Sequence, residues 1–161
     1  KDQVRFLQEW YHLVVRELVT LQDFEASGEG VSSRLRGLIT PEQAEESLNL
    51  QVRMGFLKAT EKGYVQSDPV IDTDESFQEL AVLKMHSDTL KTWMKILPET
   101  LREKRQLGLM TIPINASKIP EFKKRIQNFQ NEIIGWLQDE KEPNEIVQLG
   151  TYLIPVSQRG E

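Results

Sequence analysis

The chain contains no cysteine. Disulfides, thiolate nucleophiles and cysteine-built zinc sites are therefore excluded, and a reducing compartment fits. No apolar run approaches the roughly 20 residues that a membrane-spanning helix needs. No signal-peptide pattern is present either, so the expectation is a cytoplasmic protein without membrane contact. Histidine is scarce: His12 and His86 are the only two in 161 residues, and neither has zinc-ligand spacing. Positive charge is not in excess. The formal net charge is −5, whereas a dedicated nucleic-acid domain usually carries a basic face. The glycines of Ser27-Gly28-Glu29-Gly30 lack the Lys-Ser/Thr tail of a phosphate loop. The acidic run Asp68, Asp72, Asp74 and Glu75 resembles a calcium loop only in being acidic, with the loop's glycine misplaced. No catalytic residue, metal or cofactor is implied, and the expectation is a protein that is not an enzyme.

What is present is a pattern of elements. Val4, Leu7, Tyr11, Val14, Leu18 and Leu21 recur every three or four residues and predict one helix over Asp2–Gln22. His12, between Glu9 and Arg16, is expected to be partly exposed on it. Ser27–Gly30 breaks the chain, and a short helix is expected over Val31–Arg36. Thr40 is a helix N-cap, with Pro41 at the first helical position and Gln43 placed for a capping box. That helix runs to Met54, where Gly55 stops it. Phe56–Ala59 and Gly63–Gln66 flank the polar turn Thr60-Glu61-Lys62 and read as a small hairpin. Three helices and a hairpin in this order predict a winged-helix-like domain over residues 1–68.

Ser67–Ser76, rich in Asp, Ser and Thr, reads as a linker. A second domain, residues 77–161, is expected to hold a long helix and a strand-helix-strand unit with a small sheet. The long helix aligns Phe77, Leu80, Leu83, Leu90, Trp93 and Leu97, with His86 on the same line; Pro98 ends it. Leu109–Asn115 and Ile146–Val156 read as strands around a helix striped by Ile119, Phe122, Ile126, Phe129, Ile133 and Trp136. Were that stripe a core, Phe129→Ala would cost about 3–5 kcal/mol. The fold class is thus α+β. Two strands and one helix make a weakly stable unit, so a homodimer is expected.

In a winged helix the third helix commonly enters the major groove. Here that helix carries Glu42, Glu45 and Glu46 against Arg53 alone. The DNA-contact candidates are Arg34, Arg36, Arg53, Lys58 and Lys62, matched five to five by acids across Gly28–Gln66. A structural or dimerising use of the module is favoured. His86, Trp93 and Trp10 are the candidates for a ligand or interface contact, with a satisfied core or interface histidine as the plainer reading of His86. The basic groups Arg102, Lys104, Arg105 and Lys123, Lys124, Arg125 read as solvated helix-end charge.

Trp10-Tyr11-His12, Val15-Arg16-Glu17-Leu18, Ile39-Thr40-Pro41-Glu42-Gln43, Met54-Gly55-Phe56-Leu57-Lys58, Tyr64-Val65-Gln66-Ser67-Asp68, Gln148-Leu149 and Leu153-Ile154-Pro155 occur in that order. In this the chain resembles a family of largely uncharacterised bacterial proteins regarded as transcriptional regulators. The resemblance implies a C-terminal region lying downstream of a Cro-type helix-turn-helix, with DNA bound mainly through that upstream domain. It implies a regulatory and dimerisation role, with at most an auxiliary DNA contact by the winged helix. An unknown effector or protein partner is compatible with it, and a protein-interaction module without DNA binding is the alternative.

Overall fold

Thr40 opens the best-defined helix of the chain. Its side chain accepts from the Gln43 amide at 3.2 Å while its own amide donates to Gln43 Oε1 at 2.9 Å. This reciprocal pair satisfies two amides that have no partner inside the helix. We describe the fold from a computed structural model, which covers residues 2–67 and 75–157, the side chains of 75–78 excepted. Asp68, most of the expected linker and the Phe77 side chain lie outside those residues.

Six α-helices appear among the described residues: α1 (Asp2–Gln8), α2 (Tyr11–Leu18), α3 (Gly28–Arg34), α4 (Pro41–Arg53), α5 (Glu75–Ile96) and α6 (Ile119–Leu137). One antiparallel hairpin joins β1 (Leu57–Thr60) and β2 (Gly63–Gln66), with Leu57 opposite Gln66 and Thr60 opposite Gly63. Gly55 and Gly63 adopt φ of 77° and 126°, values that favour glycine at a helix stop and a hairpin turn. The protein is therefore α+β, with helices dominant. No helix among the described residues is long and apolar enough to cross a membrane.

The chain forms two compact units: Lys1–Arg105 with Glu142–Ile146, and Gln106–Lys141 with Val147–Glu161. The boundary is not at the expected linker, because α5 packs along α1 within the first unit. The core of that unit joins Tyr11, Val14, Val15 and Leu18 of α2 to Val31 of α3, Ala44 and Leu48 of α4 and Leu57 of β1. Phe6, Leu50 and Phe56 form a smaller cluster. The expected single N-terminal helix is thus two helices, separated at Glu9–Trp10. The break lets α1 and α2 serve different clusters: Phe6 packs with Leu50 and Phe56, while Tyr11 to Leu18 serve the larger core.

Gly28 and Gly30 allow close approach. A Cβ on Gly28 would lie 2.5 Å from the Pro41 carbonyl oxygen, and one on Gly30 would lie 2.2 Å from that of Glu25. The glycine-rich break therefore serves backbone packing at the start of α3.

The second unit departs most from expectation. Leu109–Asn115 and the segment after Ile146 carry no regular secondary structure, and neither joins a ladder among the described residues. The strand-helix-strand unit is not formed, since a strand needs a hydrogen-bonded neighbour and Pro113 has no amide to donate. α6 carries the expected stripe, with Ile119, Phe122, Ile126 and Ile133 half-buried. No residue of α6 is fully buried. Phe129 is 46% exposed and Trp136 77% exposed, so the expectation that Phe129 belongs to a core is corrected.

Candidate functional site

The solvent face of α4, where a winged helix would read DNA, is acidic. Its surface depression is lined by Glu25, Glu29, Glu42, Glu45 and Glu46, together with Arg53. Its own backbone amide, and then the Thr40 hydroxyl, hold the Glu42 carboxyl below its ordinary range. A face with this excess of carboxylates repels phosphate.

The cations proposed for DNA contact are mostly engaged elsewhere. Arg34 donates to the Asn144 carbonyl at 3.0 Å. Lys104 first, then Arg36 and Arg34, lower the Glu145 carboxyl from its ordinary range. The segment Glu142–Ile146 therefore lies against these basic side chains within the first unit. Arg53 Nε lies 3.8 Å from Asp2 of α1. Lys58 on β1 and Lys62 in the turn are exposed. The hairpin is tied to α2: Gln66 Nε2 donates to the Arg16 carbonyl at 2.9 Å, and Arg16 donates to the Ser67 carbonyl at 3.3 Å. The Arg16 guanidinium also lies 5.5 Å from the Phe56 ring centroid, within cation–π range.

Of the interface candidates, Trp10 is half-buried against the core and meets Tyr11 edge-on at 6.0 Å. Trp93 is half-buried on α5, and His86 is exposed. The histidine that sequence reasoning placed partly in solvent, His12, is the buried one, at 2% exposure. It is stacked on Phe6 with ring centroids 5.5 Å apart, and the tilted Tyr11 ring lies 4.7 Å away. His12 Nδ1 lies 2.7 Å from Ser47 Oγ, and Gln51 Nε2 donates to Ser47 Oγ at 3.2 Å and to the His12 carbonyl at 3.0 Å. His12 Nε2 and Gln51 Oε1 have no hydrogen-bond partner among the described residues. Burial, reinforced by Arg5 and opposed by Glu46, pushes the imidazole down to about 4. His12 is neutral at pH 7 and works as a polar pin between α2 and α4. The signal for this was Ser47 and Gln51, four residues apart on one face of α4.

Sequence reasoning aligned the leucines of α5 on one face without saying which way that face points. Among its described side chains the buried ones are Ala81, Thr89 and Thr92, small residues that let α5 lie close to α1. Leu80, Leu83, Leu90, Met94 and Leu97 face solvent instead. Lys84, between the two faces, is held 2.7 Å from Asp88 Oδ2 and 3.4 Å from Glu9 Oε1. Asp88 raises its ammonium above the ordinary lysine range.

No curated protein and no solved structure matches the chain. Residues 1–156 match the family described as a domain of unknown function (DUF4423), and the chain belongs to that family.

Proposed function

We propose that this chain is the regulatory and dimerisation region of a bacterial transcriptional regulator, whose DNA reading belongs to a helix-turn-helix upstream of it. In this reading α3, α4 and the hairpin form a winged-helix-like scaffold. The single observation that carries the proposal is the uncovered apolar surface of the second unit: Leu109, Met110, Val147, Ile154 and Val156 are among its most exposed side chains. Soluble monomers rarely expose apolar surface on this scale, and such patches mark association sites. A symmetric second copy is the commonest partner for such a surface. The acidic α4 and the engaged arginines support a scaffold role for the winged-helix half, leaving Lys58 and Lys62 for any auxiliary contact with DNA.

The test combines light scattering with gel shifts at graded salt, on this chain and on the full-length gene product. The expected result is a dimeric chain that does not shift DNA at physiological salt, beside a full-length protein that does. Tight, steeply salt-dependent binding by the chain alone would make the winged helix the DNA reader. Silence of the full-length protein would leave a protein-interaction module.

A further inference from the structure

The solvent face of α5 has a period that an ordinary surface helix lacks. Leu80, Leu83, Ser87, Leu90, Met94 and Leu97 alternate at spacings of three and four, which are the a and d positions of consecutive heptads. Leu80, Leu83 and Met94 are 70%, 66% and 75% exposed. The opposite side of the helix is occupied by α1. A heptad seam in solvent is self-complementary, because its knobs fit the holes of an identical helix. It is also costly to leave bare.

We propose that α5 pairs in parallel and in register with α5 of a second copy, forming a short coiled coil along Leu80–Leu97. This rests on the dimer part of the reading above and adds, on the first unit, a second contact surface to the one on the second unit. Charge decides both the occupant and its direction. With Leu80 at a, Glu79 is a g residue and Lys84 and Lys91 are e residues. In a parallel pair Glu79 faces the second copy's Lys84, which favours assembly. In an antiparallel pair centred on the seam, Lys84 faces the second copy's Lys91, and like charges oppose it. Lys84 already leans on Asp88 and Glu9, so the incoming glutamate joins an existing ion-pair network rather than immobilising a free side chain. Ser87 occupies one a position, where a small polar residue favours a defined register over maximal affinity.

The absence of cysteine allows a clean test on the full chain. Ser87→Cys and Met94→Cys each place one thiol at a seam position, where parallel in-register helices bring identical residues together. Lys95→Cys places one at an exposed position off the seam. Mild oxidation is expected to give a covalent dimer from the first two and not from the third. Leu83→Glu is expected to raise the dimer dissociation constant by more than about tenfold in sedimentation, because each copy would bring a charge into the seam. Its helical circular dichroism should be unchanged, since Leu83 is exposed in the isolated chain. A wild-type dimer that Leu83→Glu leaves intact would overturn the seam while the dimer reading stands. Cross-linking confined to a mixture of the Leu83→Cys and Met94→Cys chains would overturn the parallel arrangement. A wild-type chain that sediments as a monomer at micromolar concentration would overturn both readings.

Discussion

The two units use their apolar residues in opposite ways. In the first, Val15, Val31, Leu48 and Leu50 are sealed from solvent in clusters shared by helices and hairpin. In the second, α6 and its irregular flanks are rich in Ile, Leu, Val and aromatic residues, yet none on the helix is fully buried. A core stabilises the chain that contains it, whereas a bare apolar surface stabilises only an assembly. The difference separates a unit with a closed core from one whose helix has none, and mutations can measure it.

The largest effect belongs to the scaffold. Leu48 is fully buried where α2, α3 and β1 meet α4. Leu48→Ala should lower unfolding stability by about 2–5 kcal/mol through lost burial and a residual cavity. Urea denaturation followed by helical circular dichroism checks this. A loss under about 1 kcal/mol would mean that the first unit has no tight core, and the contrast between the units would collapse.

The next effect depends on pH. His12 is depressed to about 4 in the folded chain from an ordinary 6.5. Below pH 6.5 the unfolded chain takes up a proton that the folded chain refuses until about pH 4. The stability that goes with neutral His12 is therefore complete above 6.5 and lost as pH falls through this window, to a limit of about 3 kcal/mol. His12→Gln removes the titration. Between pH 7 and pH 4.5 the wild type should lose roughly 2 kcal/mol more than the variant in urea midpoints. Carboxylates such as Asp88 and Glu145, held low by their lysine partners, titrate in both chains and cancel. Equal losses would show that His12 is solvated.

Legibility in the sequence follows the same division. The helix from Pro41 was readable because its signals are local: Thr40, Pro41, Gln43 and Gly55 act within a few residues of themselves. The hairpin was readable for the same reason. The break at Glu9–Trp10 was not, since no glycine or proline marks it and its cause is the placement of Phe6 against Leu50 and Phe56. On α5 the apolar line was legible but its direction was not. Small residues such as Ala81 and Thr89 faced the neighbouring helix, so hydrophobicity pointed away from the chain's own core. Leu109–Asn115 and Ile146–Val156 have strand composition, but composition cannot supply the neighbour that makes a strand. His12 was misjudged because its partners Ser47 and Gln51 lie far along the sequence on another helix.

The smallest stability effect gives the sharpest comparison. Phe129 was expected to be a core residue, and as such Phe129→Ala would rival Leu48→Ala. At 46% exposure it buries only part of its ring against its own unit. The substitution should therefore cost less than about 1.5 kcal/mol in the unfolding of a dilute chain, because only the lost burial counts and no closed cavity is left. The same truncation removes apolar surface from the unit that the proposed assembly covers, so its larger effect should appear as weaker association at higher concentration. Sedimentation and denaturation on one variant thus read the two roles separately. A cost of 3 kcal/mol or more in the monomer would restore Phe129 to a core and place the second unit beside the first as a domain with its own interior.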